Sequence, residues 1–217
     1  MSSNQYKKTK GFTLIELMIV VSIVAMISAV VLSNMPLYKG NILIDREAGN
    51  LTLALRKAQQ YSIAVRKFDA TISSIPGACN GNLYLSQFPA YGIVLDMAQP
   101  SKYFMYADPD CDKKSDTYTN DLIETTTLEN RVFVEDICIN IDSIPPYTCS
   151  SGGTIGSAEI WSVRPGPTIE FRIYGTGGNS ISPFPQSLKV FLRVSDGGRR
   201  SVTIRNSGQV SIQHESI

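Results

Sequence analysis

The chain is nearly without histidine: His214, close to the C-terminus, is the single one among 217 residues. A multi-histidine zinc centre is thereby excluded and a histidine-based nucleophilic triad disfavoured. The four cysteines, Cys79, Cys111, Cys138 and Cys149, lack C-x-x-C spacing, which argues against zinc-ribbon and dithiol redox chemistry. No Gly-x-Gly-x-x-Gly leads into a helix, and no phosphate-binding P-loop occurs. An excess of positive charge is missing as well: 20 Lys and Arg face 19 Asp and Glu, a balance that makes nucleic acid an improbable partner. Adjacent acids such as Glu135 and Asp136 would point to opposite faces of a strand, and they read as solvated edge residues instead of an acid–base pair. With no nucleophile–base constellation, the chain reads as a non-enzyme that needs no catalytic cofactor.

Charge is also absent from one long stretch. From Phe12 to Leu32 the only polar side chains are Thr13, Glu16, Ser22 and Ser28. A helix of that run, rising about 1.5 Å per residue, is long enough to cross a bilayer. Lys7, Lys8 and Lys10 precede it and mark that end as cytoplasmic. An acid inside such a span costs roughly 2.5–3.5 kcal/mol at the helix centre, so Glu16 asks for a positive partner. An ordinary secretory signal has a shorter apolar region followed by small residues at its cleavage site. A simple membrane anchor explains the length and the lysines but leaves Glu16 without a reason.

The string Lys10-Gly11-Phe12-Thr13-Leu14-Ile15-Glu16-Leu17 resembles the leader and mature start of type IV prepilins and of type II secretion pseudopilins. The resemblance implies that a membrane-embedded prepilin peptidase cuts between Gly11 and Phe12 and that the new amine on Phe12 is methylated. It further implies that this amine neutralises Glu16 of a neighbouring subunit as helices stack into a filament. Its implied partners are other pilin or pseudopilin subunits and the inner-membrane assembly platform. The implied location is the cytoplasmic membrane, single-pass with the head outside the cytoplasm, and then a pilus or pseudopilus.

The expected organisation is a leader at 1–11, a membrane-spanning and filament-core helix at 12–33, an amphipathic continuation at 34–66 and a β-rich head at 67–217. Ile44, Ala48, Leu51, Leu55, Ala58, Ser62 and Val65 follow a helical rhythm, with Asp45, Arg46, Glu47, Arg56, Lys57 and Arg66 mostly elsewhere around the cylinder. Pro36 and Gly40-Asn41 predict a kink or local melting between about Asn34 and Asn41. Removal of the leader leaves roughly 150 residues beyond the helix, enough for one domain with a real core. Strands are predicted at Tyr91–Leu95, Lys102–Tyr106, Val132–Ile141, Glu159–Val163, Thr168–Tyr174, Leu188–Ser195, Arg199–Arg205 and Gln209–Gln213. The last three read as a meander turning at Asp196-Gly197-Gly198 and Asn206-Ser207-Gly208. The fold class is α+β: a long N-terminal helix packed on an antiparallel sheet, the pilin fold. Leu51–Val65, Tyr103–Asp108 with Leu122-Ile123-Glu124-Thr125, and Arg199–Ile212 resemble the H-type minor pseudopilins and FimT-like pilins.

All four cysteines fall on the side that the positive-inside rule places outside the cytoplasm, where disulfides persist. Three pairings into two bridges are open, with free thiols the alternative; sequence proximity favours Cys138–Cys149 and Cys79–Cys111. Asp108, Asp110, Asp112 and Asp116 occupy positions 1, 3, 5 and 9 of a loop, a spacing suited to Ca²⁺, but Lys113 and Thr119 replace the glycine and glutamate of a full EF-hand. Because some pilins hold calcium in a head loop, the resemblance keeps a structural Ca²⁺ open beside the reading as a solvated loop. Arg199, Arg200 and Arg205, with Arg193, form a basic cluster that in FimT-like relatives is associated with DNA; guarding an edge hairpin is the alternative. The expected function is a structural filament subunit, and the competing one is a minor-pilin recognition module that binds DNA, a surface or a secreted substrate.

Overall fold

The structure, a computed structural model, describes residues 11–64, 66–67, 88–109, 111, 115, 122–129, 131–140, 148–163, 168–181, 185–195 and 197–215. The first element is the helix α1, Leu14–Ile63. Ten strands follow: β1 (Ala90–Asp96), β2 (Lys102–Asp108), β3 (Leu122–Thr127), β4 (Val132–Asn140), β5 (Thr148–Cys149), β6 (Ile155–Ser162), β7 (Ile169–Gly175), β8 (Ser187–Val194), β9 (Arg199–Arg205) and β10 (Val210–His214). The chain divides into two compact units, Met1–Lys39 and Gly40–Ile217, and the division falls within α1.

In the first unit every described side chain of α1 is exposed, including Leu14, Ile15, Val20, Ile23, Ile27 and Val31. By length and composition α1 is apolar enough to cross a membrane. Helical structure covers Pro36 and Gly40 without a break, so of the expected kink or local melting between Asn34 and Asn41 the melting does not occur. A proline deprives the ladder of one donor, and the bonds of the flanking turns carry the helix across that loss.

In the second unit the predicted stripe is the buried one: Ile44, Ala48, Leu51, Leu55, Ala58 and Ser62 are all buried. Val65 lies outside the described residues. The stripe joins one core with Ile93, Leu95, Val134, Ile137, Ile160, Phe171, Leu188, Val190, Leu192, Val202 and Ile204 from the strands. Those strands form two antiparallel five-stranded sheets in place of a single one, in the orders β3-β2-β1-β6-β7 and β10-β9-β8-β4-β5. The meander β8-β9-β10 is present, with Leu188, Val190, Leu192 and Val194 buried between the more exposed Lys189, Phe191 and Arg193. Gly208 turns the second hairpin at φ 84°, a backbone region that costs other residues strain. Asp196 and Ile141 lie outside the described residues.

At the centre of the first sheet Gly92 and Trp161 are cross-strand partners, and Trp161 is fully buried. A Cβ on Gly92 would sit 2.6 Å from the Trp161 ring and 2.8 Å from the Ile160 carbonyl oxygen. The backbone atom cannot swing aside, so Gly92→Ala is expected to destabilise the head by about 1–3 kcal/mol, the usual cost of overpacking. In a domain of this size that lowers Tm by roughly 2–4 °C per kcal/mol. Thermal unfolding of the purified chain checks it, and an unchanged Tm would show that the strand pair opens freely.

Candidate processing and assembly site

Gly11, Phe12 and Thr13 precede α1 in open backbone; a Cβ on Gly11 would meet nothing within 4 Å, and Phe12 is 84% exposed. Thr13 caps the helix. Its carbonyl accepts the first helical bond from the Leu17 N–H at 3.2 Å, and its hydroxyl oxygen accepts from the Glu16 N–H at 3.3 Å. Glu16 reciprocates: its Oε2 accepts from the Thr13 N–H at 3.0 Å and from the Thr13 hydroxyl at 2.9 Å. This is a capping box, in which Thr and Glu three positions apart satisfy amide donors that a helix start leaves orphaned. The negative charge also lies at the positive end of the helix dipole. Glu16 therefore has a local partner besides the intermolecular one that its place in an apolar run suggests. The Thr13-x-x-Glu16 spacing carries that signal in the sequence itself.

Cys138 and Cys149 form a disulfide, tying the two-residue β5 to the edge of β4 where the two residues pair directly. Cys111 is also disulfide-bonded, and Cys79 lies outside the described residues. Asp136 lies close to both bridged sulfurs, but metal binding by cysteine needs thiolates, which a disulfide does not offer. Of the acid-rich loop, Asp108 ends β2 buried and in polar contact, while Asp110, Asp112 and Asp116 lie outside the described residues.

The reading of Glu135 and Asp136 as solvated edge residues is corrected. The β4–β8 register shifts between Val134 and Asp136, and Asp136 is buried, accepting from the Ser150 hydroxyl and from the Ser151 N–H at 3.0 Å. Glu135 bridges Arg193 at 2.6 Å and Arg199 at 2.7 Å. A bulge lets neighbouring acids each find a partner where simple alternation would send one into solvent.

The basic cluster divides in the same way. Arg199 stacks on Phe191, 4.1 Å from the ring centroid. Arg200 is buried and bonds Asp45 of α1 through Nε at 2.5 Å and Nη2 at 3.3 Å, a fork that fastens the second half of the helix to β9. Arg205 remains exposed at the end of β9.

Beside them Glu215 accepts from Lys189 at 2.6 Å and from the Ser201 hydroxyl at 2.8 Å. The Lys189 ammonium holds the Glu215 carboxyl below the usual carboxylate range. A lowered folded value means that this pair stabilises the fold above the ordinary glutamate range and that the contribution is lost as pH falls through the folded value. Glu215→Gln is therefore expected to be less stable than the parent at neutral pH, with the gap closing in acid. Parallel denaturant titrations at both pH values check this, and a gap that persists in acid would place the effect elsewhere.

No curated protein and no solved structure matches the chain significantly. Residues 6–32, which hold Gly11, Phe12, the capping box and the apolar start of α1, match the family described as the prokaryotic N-terminal methylation motif, and this leader supports a place for the chain among the type IV pilin and pseudopilin precursors.

Proposed function

We propose that the chain is the precursor of a filament subunit, a minor pilin or pseudopilin of the H-type or FimT-like kind, cut after Gly11 and methylated on Phe12. The observation that carries this reading is the methylation motif at 6–32, which covers the junction of the basic leader with an apolar run, Phe12 to Leu32, that holds a single acid, Glu16. A prepilin peptidase and an inner-membrane assembly platform are the partners it requires. Lys7, Lys8 and Lys10 hold the leader in the cytoplasm, the helix spans the membrane, and the disulfide-bonded head stands outside. In lipid no hydrophobic force draws helices together, so assembly relies on close packing of the exposed apolar face of α1. Pairing of Glu16 with the Phe12 amine of the next subunit then neutralises both charges at depth.

The experiment is to deplete the chain in its native host and to quantify it in sheared surface filaments and in membranes. A minor subunit is expected in filaments at a small fraction of the principal subunit, with filament number falling on depletion. Its complete absence from filaments, with filament number unchanged, would contradict the assignment.

A further inference from the structure

The face of the second sheet that turns away from the core carries a cavity at one end. Asn140 of β4, Ser187 of β8 and Arg205 of β9 lie in one cross-strand row, so their side chains share that face. Thr203 follows on the same face of β9, and the backbone bond from the Asn206 N–H to the Gln186 carbonyl, at 3.0 Å, closes the end. The cavity measures about 420 Å³, within the range of small-molecule sites.

Its chemistry is one-sided. Among the described residues the lining offers amides, hydroxyls and one guanidinium, with no carboxylate and no aromatic ring. Other cations of this face have carboxylate partners, Lys189 with Glu215 and both Arg193 and Arg199 sharing Glu135. The Arg205 side chain has neither ion pair nor hydrogen bond among the described residues.

We propose that this cavity binds a monocarboxylated sugar, the carboxylate on Arg205 and the sugar hydroxyls on the surrounding amides and hydroxyls. A guanidinium presents a planar fork that fits a carboxylate with two parallel bonds. Arg205 is the single cation among the described lining residues, which suits one negative charge, whereas a phosphate dianion or a nucleic-acid backbone would call on cations that do not line the cavity. Bases would also find no aromatic platform among the described lining residues. The described lining lies wholly within the head, so the proposal stands whether or not the chain enters a filament.

The test is calorimetric titration of the full chain in detergent micelles with glucuronate, glucose, glucose 6-phosphate and a single-stranded oligonucleotide. Glucuronate is expected to bind with a Kd on the order of 1 mM, with glucose at least about tenfold weaker. Arg205→Gln should lose about tenfold for glucuronate with unchanged thermal stability, and Arg205→Lys should fall between, keeping the charge without the fork. No glucuronate binding, equal affinity for glucose, or an unaltered Arg205→Gln would overturn the proposal. Tighter binding of glucose 6-phosphate or of the oligonucleotide would overturn it in favour of a phosphate site.

Discussion

A Gly11→Val chain is expected to accumulate at full precursor length in the membrane, with cleavage slowed on the order of 100-fold or more. The proposed removal of the leader requires the peptide bond after Gly11 to sit within reach of a membrane-embedded peptidase, and misplacing a scissile bond by about 1 Å costs roughly that factor. The variant is unusually clean. A Cβ at Gly11 meets nothing within 4 Å, so the substitution starts in open space among the described residues. Gly11 also lies before the first turn of α1, where a change in helix propensity has no purchase. Loss of processing would thus report on recognition by the peptidase and not on folding. Mobility on a denaturing gel distinguishes precursor from product, and a mature-sized Gly11→Val product would move the cleavage site away from Gly11.

Replacement of Glu16 by alanine is expected to leave insertion and processing intact and to remove the chain from filaments. Insertion should become easier, because a carboxylate inside the span carries a cost, smaller for Glu16 in the first turn than the roughly 2.5–3.5 kcal/mol of the helix centre. The opposing loss is the helix cap, worth about 1 kcal/mol. The capping box supplies a way to separate the two roles of this side chain. Glutamine serves as well as glutamate at that position of the box, since either can accept from the Thr13 N–H. Glu16→Gln therefore keeps the local structure and discards only the charge. If the charge pairs with the Phe12 amine of the next subunit, the glutamine and alanine variants should be equally absent from sheared filaments. If the cap is what assembly needs, glutamine should assemble like the parent while Thr13→Ala fails. Wild-type assembly of all three variants would remove Glu16 from the mechanism.

The parts of the fold that are legible in the sequence are those set by local periodicity. The stripe from Ile44 to Ser62 repeats at helical spacing and is buried as that spacing requires. The meander is legible because Leu188 to Val194 alternate and glycine turns bound the hairpins. Strand β3 has no such pattern. It is an edge strand in which only Ile123 and Thr126 are even half-buried, so its sequence carries little apolar signal. Strand β5 has two residues, too few to show a pattern of their own, and owes its place to the Cys138–Cys149 bridge, the pairing that proximity in the sequence favours. The partition into two sheets depends on which distant strands pair.

The polar groups show the same limit. Arg200 reads in sequence as one more surface cation beside Arg199, yet its partner Asp45 lies 155 residues away, and the fork between them buries the guanidinium. Asp136 escapes the alternation rule because the β4 register shifts beside it. At the N-terminus, by contrast, the chemistry is local. Gly11, Phe12, Thr13 and Glu16 fall within six consecutive residues, and the Thr13-x-x-Glu16 spacing of the capping box is visible in that window.

Intact-mass and peptide mass spectrometry of the unreduced protein, taken from its native membrane fraction, tests the filament-precursor assignment most directly. The expected species begins at a methylated Phe12, lacks the eleven-residue leader and retains the Cys138–Cys149 bridge. A chain that still begins at Met1, or one cut beyond Leu32, would contradict the assignment and leave a membrane anchor or a secretory signal in its place.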